Sequence, residues 1–144
     1  LRALEVYRSS GRPLSACVNP DRPRPGFSFL LIGLLRERGE LYRRIDERVE
    51  RMFRLGLVDE VRSLIARGYG PEHPGMRGIG YREFFEMRKG CWSFPKLMEQ
   101  IQRHSRRYAK RQITFFKSLP GVEWIPADEA LRVAARLGTF LSAP

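Results

Sequence analysis

The sequence predicts an α/β fold, mostly helical, assembled on a parallel sheet. Three observations predict it. The run Phe27-Ser28-Phe29-Leu30-Leu31-Ile32-Gly33 is nearly continuous in apolar residues, the pattern of a strand covered on both faces rather than of a half-solvated one. A second short apolar run, Val122-Glu123-Trp124-Ile125, follows much later in the chain. Between and after these runs the apolar residues recur with a helical period.

The elements follow in order. Residues 1–8 read as the end of a helix, stopped by Ser9, Ser10 and Gly11. Residues 19–26 contain three prolines, which fix φ and remove backbone donors, so they form a loop. The strand 27–33 comes next, then a strong amphipathic helix over 40–55, interrupted by Gly56. Leu57, Val58, Val61, Leu64 and Ile65 line one face of a second helix, and Gly68 is placed to close it. Residues 69–80 are a loop rich in Gly and Pro, 81–88 a short helix ended by Gly90, and 94–117 a long helix. The strand 122–125 and a helix over 127–141 complete the chain, which shows no internal repeat. A strand covered on both faces needs neighbours, since a buried sheet edge leaves backbone groups unpaired. Only one further strand is predicted here, so the others are expected in preceding sequence. A start at Leu1 rather than Met points the same way.

Twenty-seven Lys and Arg against sixteen Asp and Glu give a formal charge of +11. Such an excess repels itself in the compact state and points to a polyanionic partner, nucleic acid first and an anionic membrane second. The plainer alternative is a basic surface that serves solubility. Cys17 and Cys91 stand far apart, outside any CxxC or Cys/His array, which argues against structural zinc and for a reducing compartment. No apolar run approaches the roughly 20 residues that span a bilayer, and there is no secretory signal.

Several residues break the pattern of their own element. With the helix 40–55 on a wheel at about 100° per residue, Leu41, Tyr42, Ile45, Val49, Met52 and Phe53 share an arc with Leu55 on its other edge, and Arg48 falls inside it, between Leu55 and Leu41, with Arg44 at its margin. A charge there needs a partner. That partner is either a carboxylate in the core or an anionic ligand in a cleft, which the planar guanidinium fork grips bidentately. On the helix 94–117, Leu97, Met98, Ile101, Tyr108, Ala109, Ile113, Phe115 and Phe116 form an apolar, core-facing arc. Arg103, Arg106, Arg107, Lys110, Arg111 and Lys117 cover the other side, and no acidic residue lies among them. A solvated face normally mixes signs, so this stripe reads as a phosphate-backbone contact. Gln112 sits in the apolar arc, either as a satisfied structural amide or as a group reading a base edge. In Met76-Arg77-Gly78-Ile79-Gly80-Tyr81-Arg82, two glycines permit close backbone approach to a ligand. The flanking arginines and the aromatic suit phosphates and a stacked base.

Five motifs in order then carry a resemblance: Arg2-Ala3-Leu4-Glu5-Val6, Leu41-Tyr42-x-Arg44-Ile45-Asp46-x-Arg48-Val49, Gly56-Leu57-x-x-Glu60-Val61, Gly78-Ile79-Gly80-Tyr81-Arg82-Glu83 and Tyr108-Ala109-Lys110-Arg111-Gln112-Ile113-Thr114. Together they resemble the tRNA dimethylallyltransferase family, which transfers a dimethylallyl group from its diphosphate to the N6 of the adenine beside the anticodon. The resemblance implies the C-terminal part of a P-loop-like parallel-sheet core. Residues 1–18 would end a helical insertion domain, and 19–144 would carry the rest of the catalytic core and its tRNA-binding helices. Arg48, with Arg44 beside it, would bind the diphosphate. The segments Arg77, Gly78, Ile79, Gly80, Tyr81, Arg82 and Lys110, Arg111, Gln112, Ile113, Thr114, Phe115, Phe116, Lys117 would contact tRNA, and so would Arg2. Gln112 and Thr114 would lie near the extruded adenine.

The implied partners are a tRNA anticodon stem-loop and dimethylallyl diphosphate, with no membrane. The implied location is the cytoplasm, and the complete protein would be a monomer. Mg2+ is implied as cofactor, its site mainly in the N-terminal part, with no metal ligand here. The departures are plain. There is no GxxxxGK followed by Ser or Thr, and the family's Thr and general-base Asp, both N-terminal, are absent. Phe115 stands where the family often has Trp, and no zinc-finger extension follows. By itself the chain is expected to lack half the catalytic apparatus. The rival reading is a noncatalytic basic helical RNA-binding module.

Overall fold

A computed structural model describes residues 2–17, 26–90 and 93–142 of the chain. Its contacts divide into two compact units, one ending at Leu30 and one beginning at Leu31. In the first unit, α1 (Arg2–Ser10) runs through both serines, whose hydroxyls donate to the Val6 carbonyl. A four-residue helix, α2 (Leu14–Cys17), follows, and the Phe27 and Phe29 rings stack with centroids 6.2 Å apart. Of the predicted proline loop, only Gly26 lies within the described residues.

The second unit holds a parallel pair of strands, as predicted, but the first strand is displaced. β1 spans Leu31–Leu35, not 27–33, and pairs in register with β2 (Val122–Pro126) from Leu31↔Val122 to Leu35↔Pro126. An apolar run shows that a strand is affordable but not which residues meet a partner, and here pairing begins only opposite Val122. The pairing extends one step further, since the Ala127 N–H donates to the Leu35 carbonyl at 2.8 Å. That tie holds Ala127 outside the last helix, and α7 spans Ala130–Leu141. The expected double coverage of β1 is also not seen: Leu34 is 61% exposed and Leu31 42%. Where Gly33 pairs with Trp124, a Cβ on Gly33 would stand 2.7 Å from the Trp124 ring, so this close approach requires glycine.

The helices form the core. The Glu37 side chain accepts from the Glu40 N–H and starts α3 (Arg38–Arg54). Gly56 separates α3 from α4 (Leu57–Ala66). Gly68 closes α4 as its position predicts: its N–H reaches the Ile65 carbonyl while the Tyr69 N–H reaches Leu64. A single 3-10 turn at Pro74–Arg77, α5 (Arg82–Arg88) and α6 (Phe94–Lys117) follow. Val49, Leu57, Val61, Phe84, Leu97 and Ile101 pack as one buried cluster, with Phe53 edge-on to Phe94 at 5.7 Å.

One expectation about α6 needs correction. Only Leu97, Gln100 and Ile101 on it are buried. Further along the same apolar arc, Tyr108, Phe115 and Phe116 are exposed. The cause is geometric: the buried core against α6 ends at Ile101, and beyond it α3, still tied to α6 through Asp46 and Arg106, borders an open cleft.

Candidate anion and nucleic-acid site

The cleft, about 730 Å³ in volume, lies between α3, the Gly78 turn and the second half of α6. Its floor is apolar, from Leu41, Ile45, Val49, Met52, Ile79 and Ile101. Four arginines line it, Arg48, Arg77, Arg82 and Arg111, and its lining includes no Asp or Glu. A low-dielectric floor under unbalanced cations strengthens their pull on an anion.

Each element delivers its arginine for a local reason. Arg48 sits on the apolar arc of α3, so the fold that buries Val49 brings Arg48 to the cleft rim. It is exposed, and among the described residues it forms no hydrogen bond or ion pair. Of the two partners the sequence allowed, the core carboxylate is therefore absent among the described residues. Arg44 points elsewhere: its Nε is 2.8 Å from Glu40 Oε1, which Arg36 also meets at 2.9 Å, and Arg44 does not line the cleft. Arg77 is anchored by its fork to the carbonyls of Pro71 (3.3 Å) and Glu72 (2.9 Å). The Arg111 guanidinium lies 5.9 Å from the centre of the Tyr108 ring.

The Gly78–Gly80 turn contributes Gly78 and Ile79 to the lining, while Gly80 (φ +104°) is buried behind them. Tyr81 does not join the cleft. Its hydroxyl donates to Glu60 on α4 at 2.6 Å, and this bond, with partial burial behind it, raises the hydroxyl above its ordinary pKa. The aromatic group that lines the cleft is Tyr108.

Gln112 is exposed rather than interior, and it has no hydrogen-bond partner among the described residues. It stands where two cavities meet. A second cavity of about 480 Å³ shares Leu41, Ala109 and Gln112 with the first and is otherwise largely apolar, lined by Ile32, Leu34, Leu35, Ile113, Phe116 and Trp124 among others.

Along the outer side of α6, Arg103, Arg107, Lys110, Arg111 and Lys117 are exposed. Arg107, Lys110, Arg111, Thr114 and Phe115 border a shallow depression, and the Thr114 hydroxyl is returned to the Lys110 carbonyl at 3.0 Å. Arg106 is the exception in the stripe: it pairs with Asp46 of α3. Arg2 lies on the exposed α1 of the first unit.

Sequence reasoning missed one cluster. Glu83, at the end of the Gly78–Glu83 motif, is fully buried and accepts from Gly80, Arg82 and His104. Its burial on α5 was unreadable because His104 arrives from another helix. Among the described residues no group of three His, Cys, Asp or Glu side chains is placed to hold a metal ion. Guanidinium donors do not fit a divalent cation either, so no step below runs through Mg2+. No helix among the described residues is long and apolar enough to cross a membrane.

The α/β support thus carries a cleft lined by four arginines and no carboxylate, beside a helix face rich in exposed Lys and Arg. Comparisons with known proteins then narrow the class. The IPP transferase family model matches residues 1–119, and the chain belongs to that family. It is 43% identical over 128 residues to a tRNA dimethylallyltransferase of Pelotomaculum thermopropionicum, covering 89% of this chain and 41% of the relative. A tRNA dimethylallyltransferase of Geobacter sulfurreducens is 43% identical over 126 residues, with 87% and 40% covered. Among solved structures, a tRNA delta(2)-isopentenylpyrophosphate transferase of Staphylococcus epidermidis is similar at TM-score 0.73 and 32% identity, covering 96% of this chain and 47% of that one. A full-length tRNA isopentenylpyrophosphate transferase of Bacillus halodurans matches at TM-score 0.71 and 28% identity, with 97% and 50% covered. The chain thus spans about two fifths of the length of the curated relatives it matches.

Proposed function

We propose that this chain is the tRNA-binding and diphosphate-holding C-terminal part of a tRNA dimethylallyltransferase, acting on the N6 of the adenine beside the anticodon. The observation that carries the reading is the junction at Gln112. A cationic cleft lined by Arg48, which has no partner among the described residues, adjoins there a largely apolar cavity, the polarity pattern of an allyl diphosphate.

In the transfer, the allylic C–O bond breaks, an N6–C bond forms, and the adenine amine loses a proton. Negative charge grows on the departing diphosphate, so the Arg48 fork stabilises the transition state more than the ground state. The cleft lining offers no carboxylate to take the proton, which must leave through a group outside it. The adenine must also leave its stack, at a cost of a few kcal/mol. Phosphate contacts along Arg103, Arg107, Lys110 and Arg111 offset that cost. The Gln112 amide, without a partner among the described residues, would meet the base edge.

The test compares calorimetric binding of inorganic diphosphate and dimethylallyl diphosphate to this chain. Binding of both, with the prenylated form tighter, is expected, without transfer to an added anticodon stem-loop. Failure to bind either overturns the reading in favour of a module that binds RNA alone.

A further inference from the structure

The turn that brings Ile79 and Arg82 to the cleft rests on a carboxylate that no step above uses. Glu83 has a side chain only 1% exposed, and among the described residues it is the sole charged side chain that is buried. Three groups converge on it. The Gly80 N–H donates to Oε2 at 2.8 Å, while Arg82 Nε (2.9 Å) and His104 Nδ1 (2.7 Å) both meet Oε1. The Gly80 N–H and Arg82 Nε–H can only donate, so both Glu83 oxygens are acceptors and His104 meets Oε1 in the tautomer that carries the proton on Nδ1. Gly80 belongs to the turn and Arg82 opens α5 directly after it, whereas His104 belongs to α6, one helical turn before Tyr108. The cluster therefore ties the turn to the helix that forms the opposite wall of the cleft.

We infer that Glu83 and His104 form a latch that positions the Gly78–Arg82 turn for anion binding. This inference rests on the reading of the cleft as an anion site. Two features favour positioning over simple packing. An apolar pair would fill this volume without the cost of burying a charge. The contacts also fix directional groups: the Gly80 amide is held inward in a left-handed conformation (φ +104°). Arg82 is gripped through Nε alone, leaving the outer nitrogens of its guanidinium for a ligand in the cleft it lines. An arginine already oriented loses less freedom on binding phosphate oxygens. When Arg82 turns to a ligand, His104 still satisfies the buried oxygen, so the carboxylate is never left unpaired.

The test uses this chain with three variants. His104→Asn keeps a donor near the Nδ1 position, His104→Leu removes it, and Glu83→Gln keeps the shape but not the charge. The readouts are inorganic diphosphate affinity, melting temperature, and amide hydrogen exchange at Gly80 by NMR. His104→Leu should weaken diphosphate binding about tenfold, what one weak charge-assisted hydrogen bond is worth, and should speed Gly80 exchange by a similar factor. His104→Asn should restore both to within about twofold. If His104→Leu does not fold, Glu83→Gln must show the same two losses. Gly80 exchange unchanged in His104→Leu, or in Glu83→Gln, overturns the latch. So does a lowered melting temperature with diphosphate affinity intact, since that is the mark of packing alone. A wild-type chain that fails to bind diphosphate sinks the anion-site reading instead, and Gly80 exchange then still decides whether the latch exists.

Discussion

Replacing Arg48 by alanine should damage ligand binding and leave the fold intact. The structure gives both halves of that expectation. Arg48 is exposed and has no ion pair or hydrogen bond among the described residues, so its loss removes no internal partner. Surface changes of that kind stay within about 0.5 kcal/mol, and in a chain of this size that moves Tm by no more than about 2 °C. Binding is another matter. A hydrogen bond to a charged group is worth roughly 1.5–3 kcal/mol, so losing the fork should weaken diphosphate affinity about 10- to 150-fold. Arg48→Lys keeps the charge without the planar fork and should recover only part of the loss. Calorimetric titration with inorganic diphosphate and a thermal melt on the same preparation suffice. Unchanged affinity, to within about twofold, in Arg48→Ala refutes the assignment. A Tm lowered by more than about 4 °C with affinity preserved would place Arg48 among the residues that hold the fold.

Three further outcomes are expected. If about six phosphates are neutralised, affinity for an anticodon stem-loop should fall on the order of a thousandfold between 50 and 200 mM salt. Replacing Arg103, Arg107 and Lys110 by Ala should flatten that slope, whereas Arg106→Ala, which breaks the tie to Asp46, should chiefly lower Tm. Gly33→Ala should cost about 1–3 kcal/mol by forcing the Trp124 ring aside, read as a lower Tm; an unchanged Tm would mean the ring is not seated there. Hydrogen bonds from the Gly39 and Glu40 amides hold the Glu37 carboxyl below its usual pKa. Its contribution to the start of α3 is therefore present above the ordinary carboxylate value and is lost as pH falls through the lowered one. Amide exchange at Glu40 should speed up over that acid range in the wild type and be fast throughout in Glu37→Ala.

Much of this arrangement was legible in the sequence. A helix over 94–117 and a closing role for Gly68 follow from periodicity and turn chemistry, which are local. Arg48 was legible because a charge inside an apolar arc breaks its own pattern, and the fold that buries Val49 then carries it to the cleft. What escaped depends on partners distant in the chain. The register of β1 is set by Val122–Pro126, which selects the second half of the apolar stretch 27–35. The outward Tyr81 ring is captured by Glu60, and Arg106 by Asp46, both on other helices. The Glu83–His104 contact joins α5 to α6 and leaves no periodic trace. The short helix Leu14–Cys17 and the 3-10 turn Pro74–Arg77 are too brief for periodicity to register.

The most direct test of the central claim is an NMR titration of this chain with an anticodon stem-loop RNA. Cross-peaks of Gly78, Gly80, Arg82 and Lys110 through Thr114 should shift or broaden together, while those of α7 stay in place. Adding inorganic diphosphate should then perturb Arg48 and its neighbours. Perturbations confined to α7, or an RNA response that leaves the Gly78–Arg82 turn and the second half of α6 untouched, would contradict the account.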